Sequence, residues 1–294
     1  MPDALPATTA PTVAIVSAGG MGAQMGAALR GHGVRVITCV EGRSAATRER
    51  AARAGMQVVP RAALRDAALL LCVVPSDQAV PAARDLLDAG ALRPGGPLYV
   101  DCNPLAAGTL ATLTRTLAQA DCDFIDACIL GGPPPAHGRP ALRLCASGPR
   151  AGELGVLATH GIDVQVLPGP IGTASALRVC IGGVSKGLVA LFSMMITRAQ
   201  DAGVGDLLRH ELSRSHAGLL EWVSRQSVRL PTEVDRWSVE LRQAADDLCA
   251  QEGGMVLRQM ADYLAMLAGT PAAALVLDAA LARFFERAQP PRDP

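Results

Sequence analysis

The stretch Thr12-Val-Ala-Ile-Val-Ser17-Ala-Gly-Gly-Met-Gly22 decides the fold of this chain. A short apolar run ends in a glycine-rich turn, and a helical pattern follows to about residue 32. Glycines allow phosphate groups to approach the backbone N–H groups at a helix N-terminus closely. The pattern is G-x-G-x-x-G with Ser17 in place of the first glycine. Its position between a strand and a helix predicts a dinucleotide diphosphate site, formed by Ser17, Gly19, Gly20, Met21 and Gly22.

Strand-like and helix-like segments alternate after this turn. Apolar strand patterns lie at residues 34–40, 69–74 and 98–101, with helical patterns at 43–54 and 77–87 between them. Further short strands are predicted at 124–129, 143–146 and 164–167. Such alternation is typical of a mostly parallel, doubly wound sheet with helices on both faces.

Beyond residue 170 the pattern changes to helices alone, beginning with one long helix over residues 172–198. The sequence therefore predicts an α/β Rossmann domain over residues 1–168. An all-helical domain follows over residues 169–294, which we expect to serve substrate binding and dimerisation.

Composition and charge exclude several classes of protein. The 294 residues carry 27 basic and 27 acidic side chains, so no basic excess indicates a nucleic-acid partner. We expect no membrane span, because the most apolar stretch, around residues 188–196, is short. The eight cysteines include no C-x-x-C pair and the five histidines are dispersed. Reduced, buried thiols in a cytoplasmic protein without a metal site are the expectation.

The end of the second predicted strand carries conflicting signals about the nucleotide. Glu41 lies about 20 positions after the glycines, where an acidic residue holds the ribose 2′-hydroxyl of NAD. Arg43, Ser44 and Arg48 can instead bind the 2′-phosphate of NADP, to which a guanidinium is well suited. We favour NADP(H) over NAD(H). The alternative is that the two arginines only line an exposed helix face.

At this point the chain resembles the superfamily of β-hydroxyacid dehydrogenases and 6-phosphogluconate dehydrogenase. The segment from Ala14 to Gly33 is similar to its G-x-x-G-L-G-x-M-G-x-x-M opening. Later matches follow in order: Val73-Val74-Pro75, Asp101-Cys-Asn103-Pro104 and Asp126-Ala-Cys-Ile-Leu130-Gly131-Gly132. Lys186-Gly187 and Arg236-Trp237-x-x-Glu240 are most similar to a branch with a phosphogluconate-dehydrogenase-type C-terminal domain.

The resemblance implies roles for these motifs. Val74 and Pro75 would lie under the nicotinamide, while Asn103, Gly131 and Gly132 would orient the substrate. Leu130 departs from the serine that grips a substrate carboxylate in the family, so a bulkier or less polar substrate is expected. Alternatively, Leu130 packs behind the loop. The family also implies a homodimer formed through the helical half.

The family's catalytic lysine is not matched in this chain. Arg178 takes its place, and arginine stabilises an oxyanion but does not readily give up a proton. Lys186 is the one lysine in the sequence and therefore the one candidate lysine proton donor. Lys186 in a structural ion pair, and the mid-helix glycines Gly182 and Gly183 at a close helix crossing, are the alternatives.

The sequence thus predicts an NADP(H)-dependent oxidoreductase that transfers hydride to or from a carbonyl or hydroxyl centre. Reduction of an imine is the first alternative, because imine reductases resemble the same superfamily and also lack its lysine. The second is a non-catalytic nucleotide-binding protein, since Ser17, Leu130 and Arg178 depart from the pattern together.

Overall fold

A computed structural model gives the structure of the chain and describes residues 10–130, 142–248 and 253–285. The described residues form one sheet of eight strands in the order β3-β2-β1-β4-β5-β6-β7-β8. All neighbouring strands are parallel except β6 and β7, which pair antiparallel. The bounds are β1 Val13–Val16, β2 Val36–Thr38, β3 Gln57–Val58, β4 Leu69–Cys72, β5 Leu98–Asp101, β6 Phe124–Leu130, β7 Arg143–Ser147 and β8 Asp163–Val166.

Helices connect the parallel strands: α1 Gly20–Gly31, α2 Ala45–Arg53, α3 Ala79–Asp88 and α4 Ala107–Gln119. Three 3₁₀ segments accompany them, Arg61–Asp66, Ser76–Gln78 and Ala151–His160. The central strands are buried on both faces, as parallel sheets require. In β1, Val13 and Ile15 join a core with α1 and α2, whereas Ala14 and Val16 join one with α3 and α4. This confirms the predicted doubly wound fold.

The remainder of the described chain is helical: α5 Thr173–Asp201, α6 Gly205–Ser215, α7 Ala217–Ser227, α8 Leu230–Asp247, α9 Gly253–Gly269 and α10 Pro271–Phe284. Helices α8 and α10 each have a proline in their first turn, where its missing N–H costs no hydrogen bond. Apolar residues of α5, α8, α9 and α10 share one core, which includes Val189, Trp237, Leu264 and Phe284.

Two compact units are present, the first ending at Arg178 and the second beginning at Val179. This division falls within α5, whereas the predicted boundary after residue 168 precedes the helix. The apolar stretch around residues 188–196 is part of a longer one, because by length and composition alone the 29 residues of α5 could cross a membrane. A core helix of a soluble protein fits the same description, and 44% of the most apolar window of α5 is buried.

The seven cysteines within the described residues are free thiols, and five of them are buried. The described residues contain no group of three or more His, Cys, Asp or Glu side chains arranged to hold a metal ion. Cys249 lies outside the described residues.

Candidate functional site

The glycine-rich turn lies at the point where the order of the sheet reverses. Strand β1 lies between β2 and β4, and the turn after β1 leads directly into α1. Ligands of open α/β sheets bind outside the carboxyl ends of the strands at such a point. Val73, Val74 and Pro75 follow the adjacent strand β4 at the same edge.

Ser17 has the backbone conformation of the glycine that it replaces. Its φ is +74°, a region that costs an L-residue roughly 1–2 kcal/mol. A Cβ on Gly22 would lie 2.2 Å from the Ser17 carbonyl oxygen, so only glycine fits there. The turn is therefore held in a tight form, at the cost of some strain at Ser17.

Gly19 and Gly20 are not required by packing within the chain. A Cβ on Gly20 would meet no atom within 4 Å, and one on Gly19 would meet only the Ser17 hydroxyl, at 3.9 Å. Gly19 is the N-cap of α1, and no side-chain cap bond accompanies it within the described residues. The first N–H groups of a helix need acceptors from outside it. The turn therefore offers an open, electropositive helix start that fits a diphosphate.

The start of α2 is the second anion-binding candidate. Ser44 caps this helix, its Oγ accepting a hydrogen bond from the Thr47 N–H at 3.3 Å, and Arg43 beside it is exposed. Arg50 links this region to the glycine-rich turn. Its Nε donates to the Ala18 carbonyl oxygen at 3.1 Å and its Nη2 donates to Thr47 Oγ1 at 3.0 Å.

A small, partly open cavity lies beside the end of β2. Its polar side includes Glu41, Arg43 and Arg61, and its apolar side includes Val16 and Leu64. The Glu41 carboxylate accepts a hydrogen bond from the Arg61 backbone N–H at 3.3 Å. An adenosine moiety needs this combination of an apolar surface and polar rim.

Asn103 connects the ends of β4 and β5. Its Oδ1 accepts a hydrogen bond from the Val74 N–H at 2.8 Å, and its Nδ2 donates to both carboxylate oxygens of Asp101 at 3.1 Å. Burial raises the pKa of Asp101 to about 7, which the hydrogen bonds from Asn103 oppose. The Asn103 side chain therefore fixes the Val74–Pro75 turn, a contact that the sequence did not predict.

Leu130 lies in a small apolar cluster with Cys128, Cys145 and Ala174. The charge of Arg178 acts on Cys128, so the guanidinium lies near this cluster. Burial raises the pKa of the Cys128 thiol to about 12, the neighbouring Cys145 adds to this, and Arg178 opposes it. Gly131 and Gly132 lie outside the described residues.

The sequence analysis gave no role to Asp126. This residue lies in β6, and its side chain contacts the first turn of α5. Its carboxylate is fully buried and accepts hydrogen bonds from Ser147, Gly172 and Ser175. A buried acid in a strand that is otherwise apolar was the available signal, because burying an unpaired carboxylate is costly.

Lys186 lies in the helical unit and is 7% exposed. Its ammonium pairs with the Glu240 carboxylate, which also accepts a hydrogen bond from Arg236 at 3.0 Å. The Lys186-Gly187 motif and the Arg236-Trp237-x-x-Glu240 motif thus contribute to one ion-pair network. This matches the structural alternative considered for Lys186.

Two mid-helix glycines of α5 lie against helix α9. A Cβ on Gly183 would lie 3.6 Å from Leu257, and one on Gly187 would lie 3.3 Å from the Met260 sulfur. Gly182 is buried as well. Close packing therefore favours a small residue at Gly187, whereas a Cβ on Gly183 would make only an ordinary van der Waals contact.

Comparison with known proteins agrees with this geometry. Residues 12–152 match the family of the NAD-binding domain of 6-phosphogluconate dehydrogenase. An uncharacterized 28.5 kDa protein of Methanothermus fervidus is 24% identical over 177 residues, which are 60% of this chain and 66% of that protein. The chain thus spans slightly less than two thirds of the length of this curated relative.

Two solved structures share the fold. Mycobacterium tuberculosis 3-hydroxyisobutyrate dehydrogenase, solved with L-serine, is 18% identical with a TM-score of 0.71, over 92% of this chain and 98% of that chain. An imine reductase from Myxococcus stipitatus, solved with NADP⁺, is 20% identical with a TM-score of 0.55, over 94% of this chain and 100% of that chain. The resemblance stated from the motifs is confirmed.

Proposed function

Because residues 12–152 match the family of the NAD-binding domain of 6-phosphogluconate dehydrogenase, we propose that the chain is an NADP(H)-dependent oxidoreductase. The observation that carries this proposal is the open start of α1. Packing within the described residues leaves room for a side chain at Gly19 and Gly20, so it does not explain why these residues are glycine. Backbone N–H groups of Gly20, Met21 and Gly22 would bind the diphosphate. A bound nicotinamide supplies or accepts the hydride.

The choice of NADP(H) rests on the start of α2. Arg43 is exposed beside the capped helix start and lines the cavity next to β2, where the 2′-phosphate of an adenosine would lie. Glu41 is engaged by the Arg61 N–H, which turns its carboxylate towards that segment. A guanidinium and a helix N-terminus together suit a phosphate.

At the reacting end we propose that Asn103 acts through the turn that it holds. By fixing the Val74 N–H, its side chain sets the backbone on which the nicotinamide would lie. Arg178 would stabilise the oxygen of a substrate carbonyl as negative charge develops there. Lys186 pairs with Glu240 in the other unit, so we assign it a structural role and not proton donation.

The substrate we propose is a carbonyl or hydroxyl compound with a weakly polar substituent. Leu130, which is partly exposed and packs on the buried Cys128, gives the end of β6 an apolar side chain. Such a side chain cannot hydrogen-bond the second polar group of a small hydroxyacid. Gly131 and Gly132 stay predicted substrate contacts.

Reduction of a C=N bond is the second candidate. One observation favours it: the residue in the position of the family lysine is Arg178, whose guanidinium does not release its proton. An iminium ion already carries its proton and needs hydride alone. A non-catalytic nucleotide-binding protein is the third candidate.

The test begins with titration of the protein with NADPH and with NADH, followed by nucleotide fluorescence. We expect tighter binding of NADPH, and Arg43→Ala should remove this preference. Arg53→Ala, an exposed arginine at the end of the same helix, is the matched control and should retain it. Tighter binding of NADH would contradict the 2′-phosphate assignment, and binding of neither nucleotide would overturn the proposal.

A screen with NADPH then compares ketones with preformed imines that carry the same substituents. Faster turnover of the ketones supports the carbonyl reductase. Faster turnover of the imines supports the second candidate, and tight nucleotide binding without any turnover supports the third.

We also propose that the chain forms a homodimer in the cytoplasm. Ile181, Val184, Leu191 and Met195 form an exposed apolar row on α5, at spacings of three, seven and four residues. Contiguous apolar rows of this kind mark contact surfaces. Sedimentation should give a dimer, and Val184→Glu should give a monomer. Leu207→Glu, equally exposed but on α6, is the control that should leave the dimer intact.

A further inference from the structure

The Asp126 carboxylate provides the N-terminal cap of α5 from a distance. Gly172, which precedes the helix, has no side chain with which to cap it, and its own N–H donates to Asp126 Oδ2 at 2.9 Å. The Ser175 N–H donates to the same oxygen at 3.1 Å, while Ser175 Oγ donates to Oδ1 at 2.6 Å. A carboxylate at a helix N-terminus satisfies unpaired N–H groups and opposes the helix dipole.

Ser147 completes this cap from the neighbouring strand. Asp126 and Ser147 are paired across β6 and β7, and the Ser147 hydroxyl donates to Asp126 Oδ2 at 3.0 Å. The Ser147 oxygen in turn accepts a hydrogen bond from the Ala174 N–H, also at 3.0 Å. The first turn of α5 is therefore bound to two strands of the sheet through buried side chains.

Arg178 stands one turn further along the same face. Alternate residues of a strand point to the same side, so Asp126, Cys128 and Leu130 share the face of β6 that meets α5. Ala174 packs against Cys128 and Cys145, and Arg178, four residues later, acts on Cys128 with its charge. One face of α5 therefore runs along this face of β6. The capped first turn lies beside Asp126, and Arg178 lies further along the helix.

We propose that Asp126 is a positioning residue, which through the first turn of α5 sets the position of the Arg178 guanidinium near Cys128. The proposal rests on the role of Arg178 in the proposed function. Each helical residue adds 1.5 Å and 100°. Fraying of the capped turn would therefore displace Arg178, and a misplacement of about 1 Å can cost roughly 100-fold in rate.

The first experiment needs no substrate. In Asp126→Asn the shape is kept, but one acceptor oxygen becomes an NH₂ group that faces N–H and O–H donors. The ¹⁵N-labelled protein is compared by NMR at the Arg178 Nε–H resonance, assigned with Arg178→Lys. We expect this resonance to shift or broaden in Asp126→Asn and in Ser175→Ala. An unchanged resonance in both variants would overturn the proposal.

Leu154→Ala is the matched control for a loss of stability alone. Leu154 is fully buried in the same unit, among the residues packed below the other sheet face. This variant should lower the melting temperature without moving the Arg178 resonance. If it moves that resonance as far as Asp126→Asn does, general loosening explains the effect and the proposal is wrong.

The second experiment is a double-mutant cycle on kcat with the substrate found for the wild type. Asp126→Asn should lower kcat by roughly 10- to 100-fold while the affinity for NADPH changes by no more than about twofold. In an Arg178→Ala background the same substitution should cause no further loss, because its effect passes through Arg178. Equal losses in both backgrounds would overturn the proposal. If no substrate is turned over, the proposed function fails, whereas the NMR result still decides the position of Arg178.

Discussion

Helices α1 and α5 begin in similar ways, but only the start of α5 is capped by a side chain of the protein within the described residues. Both follow a glycine that carries no capping side chain, Gly19 in one case and Gly172 in the other. At α5 the chain itself supplies the anion, the Asp126 carboxylate. At α1 no side-chain cap is present within the described residues, and the glycines leave space around the turn.

The difference shows how one physical property serves two purposes. Unpaired N–H groups and the helix dipole attract an anion at every helix start. Where the anion belongs to the protein, the helix start becomes a rigid joint, and at α5 this joint lies one turn before Arg178. Where no side chain caps the helix, as at α1 within the described residues, the N–H groups are available to an anion from outside, which is the proposed role of this turn. The first prediction that follows concerns a neighbouring buried carboxylate, and each of the others alters the start of α1 or the start of α5.

The largest expected effect concerns a second buried carboxylate, that of Asp101. Asp101 is the register partner of Asp126 on β5, and burial raises its pKa to about 7 from an ordinary value of 3.8. Between these values the folded state holds a proton that the unfolded chain has lost. Stability should therefore fall as pH rises from about 4 to about 7, by on the order of 4 kcal/mol at most.

Urea unfolding across this pH range measures the effect, with Asp101→Asn as the variant that cannot titrate. The variant should show a flatter dependence than the wild type. Identical pH profiles would mean that Asp101 keeps an ordinary pKa in the folded protein.

The next largest effect is expected from a substitution that distorts the glycine-rich turn before α1. In Gly22→Ala the new Cβ would meet the Ser17 carbonyl oxygen, a backbone atom that cannot rotate away. We expect a loss of about 1–3 kcal/mol in unfolding free energy together with loss of NADPH binding.

Gly20→Ala is the control for this variant, because its Cβ would meet no atom of the chain within 4 Å. It should keep or slightly raise the melting temperature, since alanine favours a helix by about 1 kcal/mol over glycine. NADPH binding should nevertheless weaken. A Gly20→Ala protein with wild-type affinity would show that no phosphate approaches this turn closely.

A smaller effect is expected at the start of α5. Ser147→Ala removes the acceptor of the Ala174 N–H and one donor to Asp126. The unfolding free energy should fall by about 1–2 kcal/mol, as for loss of an N-cap. Ser213→Ala removes an exposed hydroxyl bonded within its own helix and should change stability by less than about 0.5 kcal/mol. Equal losses of unfolding free energy in the two variants would show that Ser147 does not cap α5.

The smallest effect has the opposite sign. Ser17→Gly relieves a positive φ and should stabilise the fold by about 1 kcal/mol, measured by urea unfolding. The NADPH affinity should be unchanged if Ser17 serves only the shape of the turn. A clear loss of affinity would give its hydroxyl a direct part in binding.

The α1 side of the comparison could be predicted from the sequence, and the α5 side could not. The glycine-rich turn follows its strand directly, so the proposed diphosphate site lies within six consecutive residues from Ser17 to Gly22. The cap of α5 joins Asp126 to groups 46 and 49 residues away, and no local pattern marks such a pair. For the same reason the contact between Asn103 and Val74, 29 residues apart, was not foreseen.

Fold prediction had a similar limit. Strands buried on both faces were found from their apolar runs, whereas β3 has two exposed residues and was missed. The 3₁₀ segment Ala151–His160 was also missed, because its apolar residues Leu154 and Leu157 repeat every three positions without a helical stripe.

The remote cap of α5 also bears on how the chain can be divided and on the order in which it folds. A helix with a local cap can form its first turn from its own residues, but the capping groups of this turn, Asp126 and Ser147, belong to β6 and β7. During synthesis these strands leave the ribosome before Thr173, so the carboxylate is in place when the helix arrives. A gene fragment cut at Thr173 would leave that carboxylate behind, and its first helix would start frayed.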